Sequence, residues 1–236
     1  MRRGLFFCAT LLLAFVVGCD SLPGKPREED RPIRKDQIKD FAVLWQTQCA
    51  GCHGADGTMG AARSLNDPLY LAWVSDQDLR VVIQQGVAGS LMPAFAEGHG
   101  GMMTDAQIEI VIDQMRKRWG SAPMPGLPPY AASLGDAGRG AVVYREFCSG
   151  CHGPDGTGGT VRGSIVEPAF LALVSDQSLR SSVVAGRTDL GMPSFKDVVP
   201  GKTMTAEQIS DVVAWIAGHR VEFPGQPFAR EEADNG

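Results

Sequence analysis

An all-α fold built as two tandem helical domains is what the sequence predicts, and three observations predict it. Blocks of residues return in the same order about one hundred positions later; apolar residues recur at helical spacing behind capping residues; and no stretch alternates as a strand would. The repeat is the firmest of the three. Cys49-Ala50-Gly51-Cys52-His53-Gly54 returns as Cys148-Ser149-Gly150-Cys151-His152-Gly153, and Asp56-Gly57-Thr58 as Asp155-Gly156-Thr157. Further on, Ser75-Asp76-Gln77-Asp78-Leu79-Arg80 returns as Ser175-Asp176-Gln177-Ser178-Leu179-Arg180. Met92-Pro93-Ala94-Phe95 likewise returns as Met192-Pro193-Ser194-Phe195. The spacing between copies drifts by only one or two residues, so the chain carries a duplicated domain.

Within each copy the helices can be placed by their ends. Residues Asp36 to Gln48 and Asp136 to Phe147 show helical periodicity and run straight into a cysteine pair. Ser75 and Ser175 are expected N-caps, with Asp78 reinforcing the first. Thr104 with Gln107 and Thr205 with Gln208 have capping-box spacing and open the helices that close each copy. Between the copies, Gly120-Ser121-Ala122-Pro123-Met124-Pro125-Gly126-Leu127-Pro128-Pro129 holds too much proline and glycine for a helix. The expected division is therefore domain 1 over 36–119, a linker over 120–135, domain 2 over 136–220 and an acidic tail over 221–236.

The start of the chain reads as a processing signal. Met1-Arg2-Arg3 followed by the apolar run Leu5 to Val17 has a basic start and a hydrophobic core of about 13 residues, too short to span a bilayer. Residues 1–18 are expected to be a signal peptide. Val16-Val17-Gly18-Cys19 resembles the lipobox of bacterial lipoproteins, which implies lipidation of Cys19 and a polar, proline-rich tether over 19–35. Asp20 resembles a retention signal for the inner membrane, so the expected site is the periplasmic face of that membrane, the outer membrane being the alternative. The net charge of −5 becomes about −7 once Arg2 and Arg3 are removed. Such a charge disfavours nucleic acid and suits salt-sensitive docking on a basic protein patch.

The chemistry lies in the two CxxCH turns. Two sulfurs and an imidazole at one turn of chain are the arrangement for covalent c-type haem attachment. Two haem c groups are expected, one on Cys49 and Cys52 and one on Cys148 and Cys151, with His53 and His152 as iron ligands. A shared zinc site would need both pairs to converge on one metal, and a thioredoxin-like pair would need a βαβ context. Met92 and Met192 each follow their histidine by about 40 residues inside a repeated Met-Pro-x-Phe unit, and are the expected opposite axial ligands. Met59, Met102, Met103, Met124 and Met204 lack that context and read as packing or surface residues; His99 has no counterpart in the second copy.

On these residues both copies resemble class I cytochromes c. The chain as a whole resembles soluble di-haem cytochromes and the di-haem subunit of some haem–copper oxidases. The resemblance implies a small bundle of helices wrapped around each haem, with the first and last helices crossing, commonly glycine against an aromatic. Gly140 and Trp215 fit that contact in the second copy. In the first, simple alignment sets Phe41 against Gln114, so the bulk is expected to have moved to the first helix. The implied function is one-electron transfer between partners such as a quinol-oxidising complex, a dehydrogenase or a terminal oxidase, not catalysis. The alternatives are a cytochrome subunit of a larger complex and a di-haem peroxidase-like enzyme.

Overall fold

The computed structural model describes residues 24, 26–27, 30–196, 198–222 and 224. The expected signal peptide, Cys19 and most of the tail lie outside these residues, as does the greater part of the tether. The described residues up to Gln37 and those from Ile38 onward fall in separate units, the first contributing a 3₁₀ turn, Lys35–Gln37. Among the described residues no helix is long and apolar enough to cross a membrane.

The second unit is all-α and its element order repeats. Helices α1 (Phe41–Gln48), α2 (Ala50–His53), α3 (Pro68–Trp73), α4 (Asp76–Gln85) and α5 (Asp105–Trp119) make the first half. Helices α6 (Ala137–Phe147), α7 (Ser149–His152), α8 (Pro168–Ala172), α9 (Asp176–Ala185) and α10 (Ala206–Ala217) make the second. The caps set these boundaries. Ser75 and Ser175 accept from the amides of Asp78 and Ser178 at 3.0 and 3.1 Å. Both Thr–Gln capping boxes are complete. The first helix is shorter than its periodicity predicts: Asp40, not Asp36, is its N-cap, accepting from the Val43 amide at 3.0 Å.

Helices α6 and α10 cross through Gly140, where a Cβ would stand 2.1 Å from the Asp211 carbonyl oxygen. Asp211 is buried beside this crossing. It accepts from Arg139 through both oxygens, at 2.7 and 2.8 Å, and from the Asp136 amide at 2.6 Å. The Arg139 guanidinium holds its carboxyl below the usual range. A depressed folded pKa stabilises above the unfolded carboxyl pKa and ceases to as pH falls through the folded value. Asp211→Ala is therefore expected to destabilise by about 1–2 kcal/mol near neutrality, since it removes both hydrogen bonds from Arg139 and leaves the Asp136 amide without its partner. In urea melts the difference from the parent should shrink as the pH is lowered through the acid range.

Phe41 is buried as expected, but its partner differs from the one that alignment gives. Its ring packs on Trp45 and Trp119 at 5.9 and 6.0 Å, and Trp45 meets Trp119 edge-on at 4.8 Å. Trp119 takes the role of Trp215. A Cβ on Gly57 would lie 3.0 Å from the Trp119 ring, as one on Gly156 would lie 3.2 Å from that of Trp215. The aromatic has slid along the closing helix because a phenylalanine now occupies the crossing.

The linker is docked on both halves. Trp73 Nε1 donates to the Pro128 carbonyl at 2.6 Å and its ring meets Tyr130 at 4.8 Å. From the second half, Arg180 donates to the Pro129 and Tyr130 carbonyls, and Gln177 to Tyr130 at 3.0 Å. A second contact joins the halves directly. In the turn after α9, Arg187 pairs with Asp189 and donates to the Gly60 carbonyl at 3.0 Å, while Asp189 accepts from the Met59 amide at 3.0 Å. Met59 adopts a left-handed φ of 59°, a conformation costing a non-glycine residue about 1–2 kcal/mol, which this bond helps to offset.

Candidate haem sites

Each CxxCH turn is built as the C-terminal continuation of a helix. Cys49 caps α1 while starting α2, and its carbonyl accepts from the amides of Cys52 and His53 at 3.2 and 3.0 Å. Cys148, Cys151 and His152 repeat this at 3.1 and 3.0 Å. The turn then reverses at Gly54 (φ 85°), where a Cβ would lie 1.7 Å from the Thr58 carbonyl oxygen, and equivalently at Gly153. From the opening helices, Trp45 Nε1 and the Tyr144 hydroxyl donate to the carbonyls of Gly54 and Gly153. Both reversals are thus held from within.

The histidines are held alike. His53 Nδ1 lies 2.9 Å from the Arg63 carbonyl and His152 Nδ1 lies 3.0 Å from that of Gly163. A carbonyl accepts only, so Nδ1 carries a hydrogen, and it is Nε2 that bears the lone pair of the neutral ring. In His53 that Nε2 is buried and has no hydrogen-bond partner. Burial lowers its pKa, with the Arg63 and Arg187 charges adding to the effect and the bond to the Arg63 carbonyl opposing it. A neutral imidazole aimed at nothing in the protein fits a metal placed by a cofactor.

Among the described residues the four cysteines form no disulfide; Cys49 and Cys148 are half-buried, and Cys52 and Cys151 are exposed. Burial, then the neighbouring thiol, pushes Cys49 and Cys148 up to about 12. Among the described residues no group of three or more His, Cys, Asp or Glu side chains could hold a metal ion on its own. These observations fit a porphyrin joined through thioethers.

Met92 and Met192 lie in matching segments. The Met92 carbonyl accepts from the Val87 amide at 3.0 Å and that of Met192 from the Arg187 amide at 3.0 Å. Each segment crosses a glycine that ends a helix, Gly86 or Gly186, where a Cβ would come within 2.6 or 2.5 Å of the methionine carbonyl oxygen. Both side chains are half-buried. Met103 and Met204 are core residues, whereas Met59 and Met102 are exposed.

The family described as cytochrome c oxidase, cbb3-type, subunit III matches residues 36–113 and 135–216, one segment for each helical half. The chain belongs to this family. Membership agrees with the all-helical fold and with haem c as the cofactor of both halves. Subunit CcoP of a cbb3-type cytochrome c oxidase from Azospirillum sp. is 32% identical over 149 residues, covering 56% of this chain and 46% of that protein. FixP of the corresponding oxidase from Azorhizobium caulinodans is 33% identical over 132 residues, 52% of this chain and 40% of the relative. The chain thus spans less than half the length of these relatives. Among solved structures, the Kuenenia stuttgartiensis reducing HAO-like protein complex Kustc0457/Kustc0458 has a similar chain, at TM-score 0.46 and 15% identity, covering 81% of this chain and 100% of that one.

Sequence reasoning passed over several residues that build these sites. Arg116 donates to the Val74 carbonyl at 2.6 Å and to Asp76 at 2.7 Å, and also to the Leu71 carbonyl. Arg220 makes the same set with Leu171, Val174 and Asp176. The repetition of Asp76 as Asp176 was the available signal. Trp119 and the Arg187–Asp189 pair have no residue of the same kind at the matching positions of the other copy; Arg63 does, in Arg162, but one inserted residue, Gly163, follows Arg162 and takes over the carbonyl that meets the histidine.

Proposed function

We propose that this chain is a di-haem cytochrome c that passes electrons singly within a larger oxidase complex, its partner subunit holding the catalytic centre. Cys49, Cys52, Cys148 and Cys151 carry the thioethers. His53 with Met92, and His152 with Met192, form the two axial pairs. A haem so held supplies a one-electron ferric/ferrous couple; with both axial positions filled by protein, oxygen or peroxide chemistry is disfavoured. The residues around it hold rather than react. The carbonyls of Arg63 and Gly163 fix the imidazole tautomer, and the glycine-bound Met-Pro segments present the sulfurs.

The observation that carries this reading is the pair of CxxCH turns, each with its imidazole Nδ1 tied to a carbonyl ten or eleven residues on. That the relatives are named as oxidase subunits favours a subunit over a freestanding carrier. Export and a lipid anchor at Cys19, on the periplasmic face of the inner membrane, complete the proposal. Purification of the tagged full chain in mild detergent tests it. Haem–copper oxidase subunits should accompany a protein containing two low-spin haems. Isolation alone would return the freestanding carrier, and a high-spin haem that binds carbon monoxide directly would return the peroxidase-like enzyme.

A further inference from the structure

Among the described residues, three buried side-chain polar atoms lack a hydrogen-bond partner: His53 Nε2 and both terminal nitrogens of Arg63. They lie on one short stretch of chain, His53 closing α2 and Arg63 in the loop that follows. His53 and Arg63 are joined by the 2.9 Å bond from the imidazole to the Arg63 carbonyl. The two orphans have opposite needs, since a lone pair seeks a Lewis acid and a guanidinium seeks an anion.

The environment of Arg63 does not meet its need. Its guanidinium lies over the Tyr70 ring at 4.3 Å, a contact that leaves both terminal nitrogens without a hydrogen-bond acceptor. Asp67 is near enough to act through space, but its oxygens are taken up elsewhere: one accepts from the Tyr70 amide at 2.8 Å and the other from Thr188 at 3.4 Å. Arg187, the other nearby cation, is already spent on Asp189 and on the Gly60 carbonyl. Burial and the Arg187 charge both work against the charged form of Arg63. An arginine stays charged regardless, and a buried charge without a partner is strongly unfavourable.

We infer that Arg63 binds a carboxylate of the haem carried by the first half, so that one ligand satisfies both orphans, its metal meeting His53 and its acidic edge meeting Arg63. The inference rests on the haem reading above. Planar, forked donors match a carboxylate through two parallel hydrogen bonds. The second half lacks the device. Gly163 supplies the carbonyl for His152 but has no side chain, and the adjacent Arg162 is exposed and donates to the Gly191 carbonyl at 3.3 Å. The two haems are therefore electrostatically unequal. A cation paired with the acidic edge of the first favours its less positive, reduced state.

The test is a redox titration of the full di-haem chain carrying Arg63→Met, Arg63→Lys or Met192→His. Met192→His, by exchanging sulfur for imidazole, should lower the potential of the second haem and so assign the two waves. Arg63→Met should then weaken reduction of the first haem about tenfold, or about 59 mV for one electron, with the second unmoved. Arg63→Lys should restore most of the shift. An unmoved first wave, or a shift confined to the second, overturns the inference while leaving the ligand reading intact. If Met192→His moves neither wave, it is the ligand reading that fails.

Discussion

Replacing Cys49 and Cys52 together by alanine is expected to lower the mass of the mature chain by one haem and to halve its haemochrome absorbance. Replacing Cys148 and Cys151 should do the same, and all four should leave none. The expectation follows from the two turns being built independently, each with its own helix, glycine reversal and tethered imidazole. Each half, at fewer than about a hundred residues, is too small to secure a core from side chains alone. Loss of its haem should therefore also separate one half's thermal transition from the other's. A wild-type mass equal to that of polypeptide and lipid would sink the assignment at once.

Gly140→Ala should destabilise the second half by prising its first and last helices apart. The added Cβ would meet the Asp211 carbonyl oxygen at 2.1 Å and the Trp215 Cβ at 2.8 Å. The first of these is backbone, so no side-chain rotation relieves it and α6 must move away from α10. Overpacking of this kind costs about 1–3 kcal/mol or more, outweighing the roughly 1 kcal/mol that alanine gains over glycine in a helix. A net loss of about 2 kcal/mol corresponds to a fall of about 10 °C in Tm, read by calorimetry. At the matching place in the first half the need is reversed: Phe41→Ala should lose about 3 kcal/mol by emptying the space between Trp45 and Trp119. Equal tolerance of both changes would contradict the packing described.

What could be read from the chain beforehand depended on whether a signal was local. The caps at Ser75, Ser175, Thr104 and Thr205 were legible because each bonds within three residues of itself. The CxxCH turns were legible for the same reason. Trp119 was not, because helical phase is lost once a bulky residue at Phe41 alters the crossing. Arg80 and Arg180 show the limit of repetition. Aligned and identical, they do different work: Arg80 pairs with exposed Glu109, whereas serine at the matching position 210 frees Arg180 to hold the linker carbonyls. Arg63 gave no sign in one dimension, since its meaning lies in what fails to surround it.

The grip of Arg187 and Asp189 on the backbone of Met59 and Gly60 bears on how charge would travel along the molecule. The gripped segment follows the His53 turn of one half, and the gripping turn runs directly into the Met192 segment of the other. A hop from one redox centre to its neighbour would then cross a fixed gap through bonded atoms, without waiting for a hinge to close. Its rate should accordingly be insensitive to solvent viscosity, leaving the encounter with outside proteins as the step that diffusion controls.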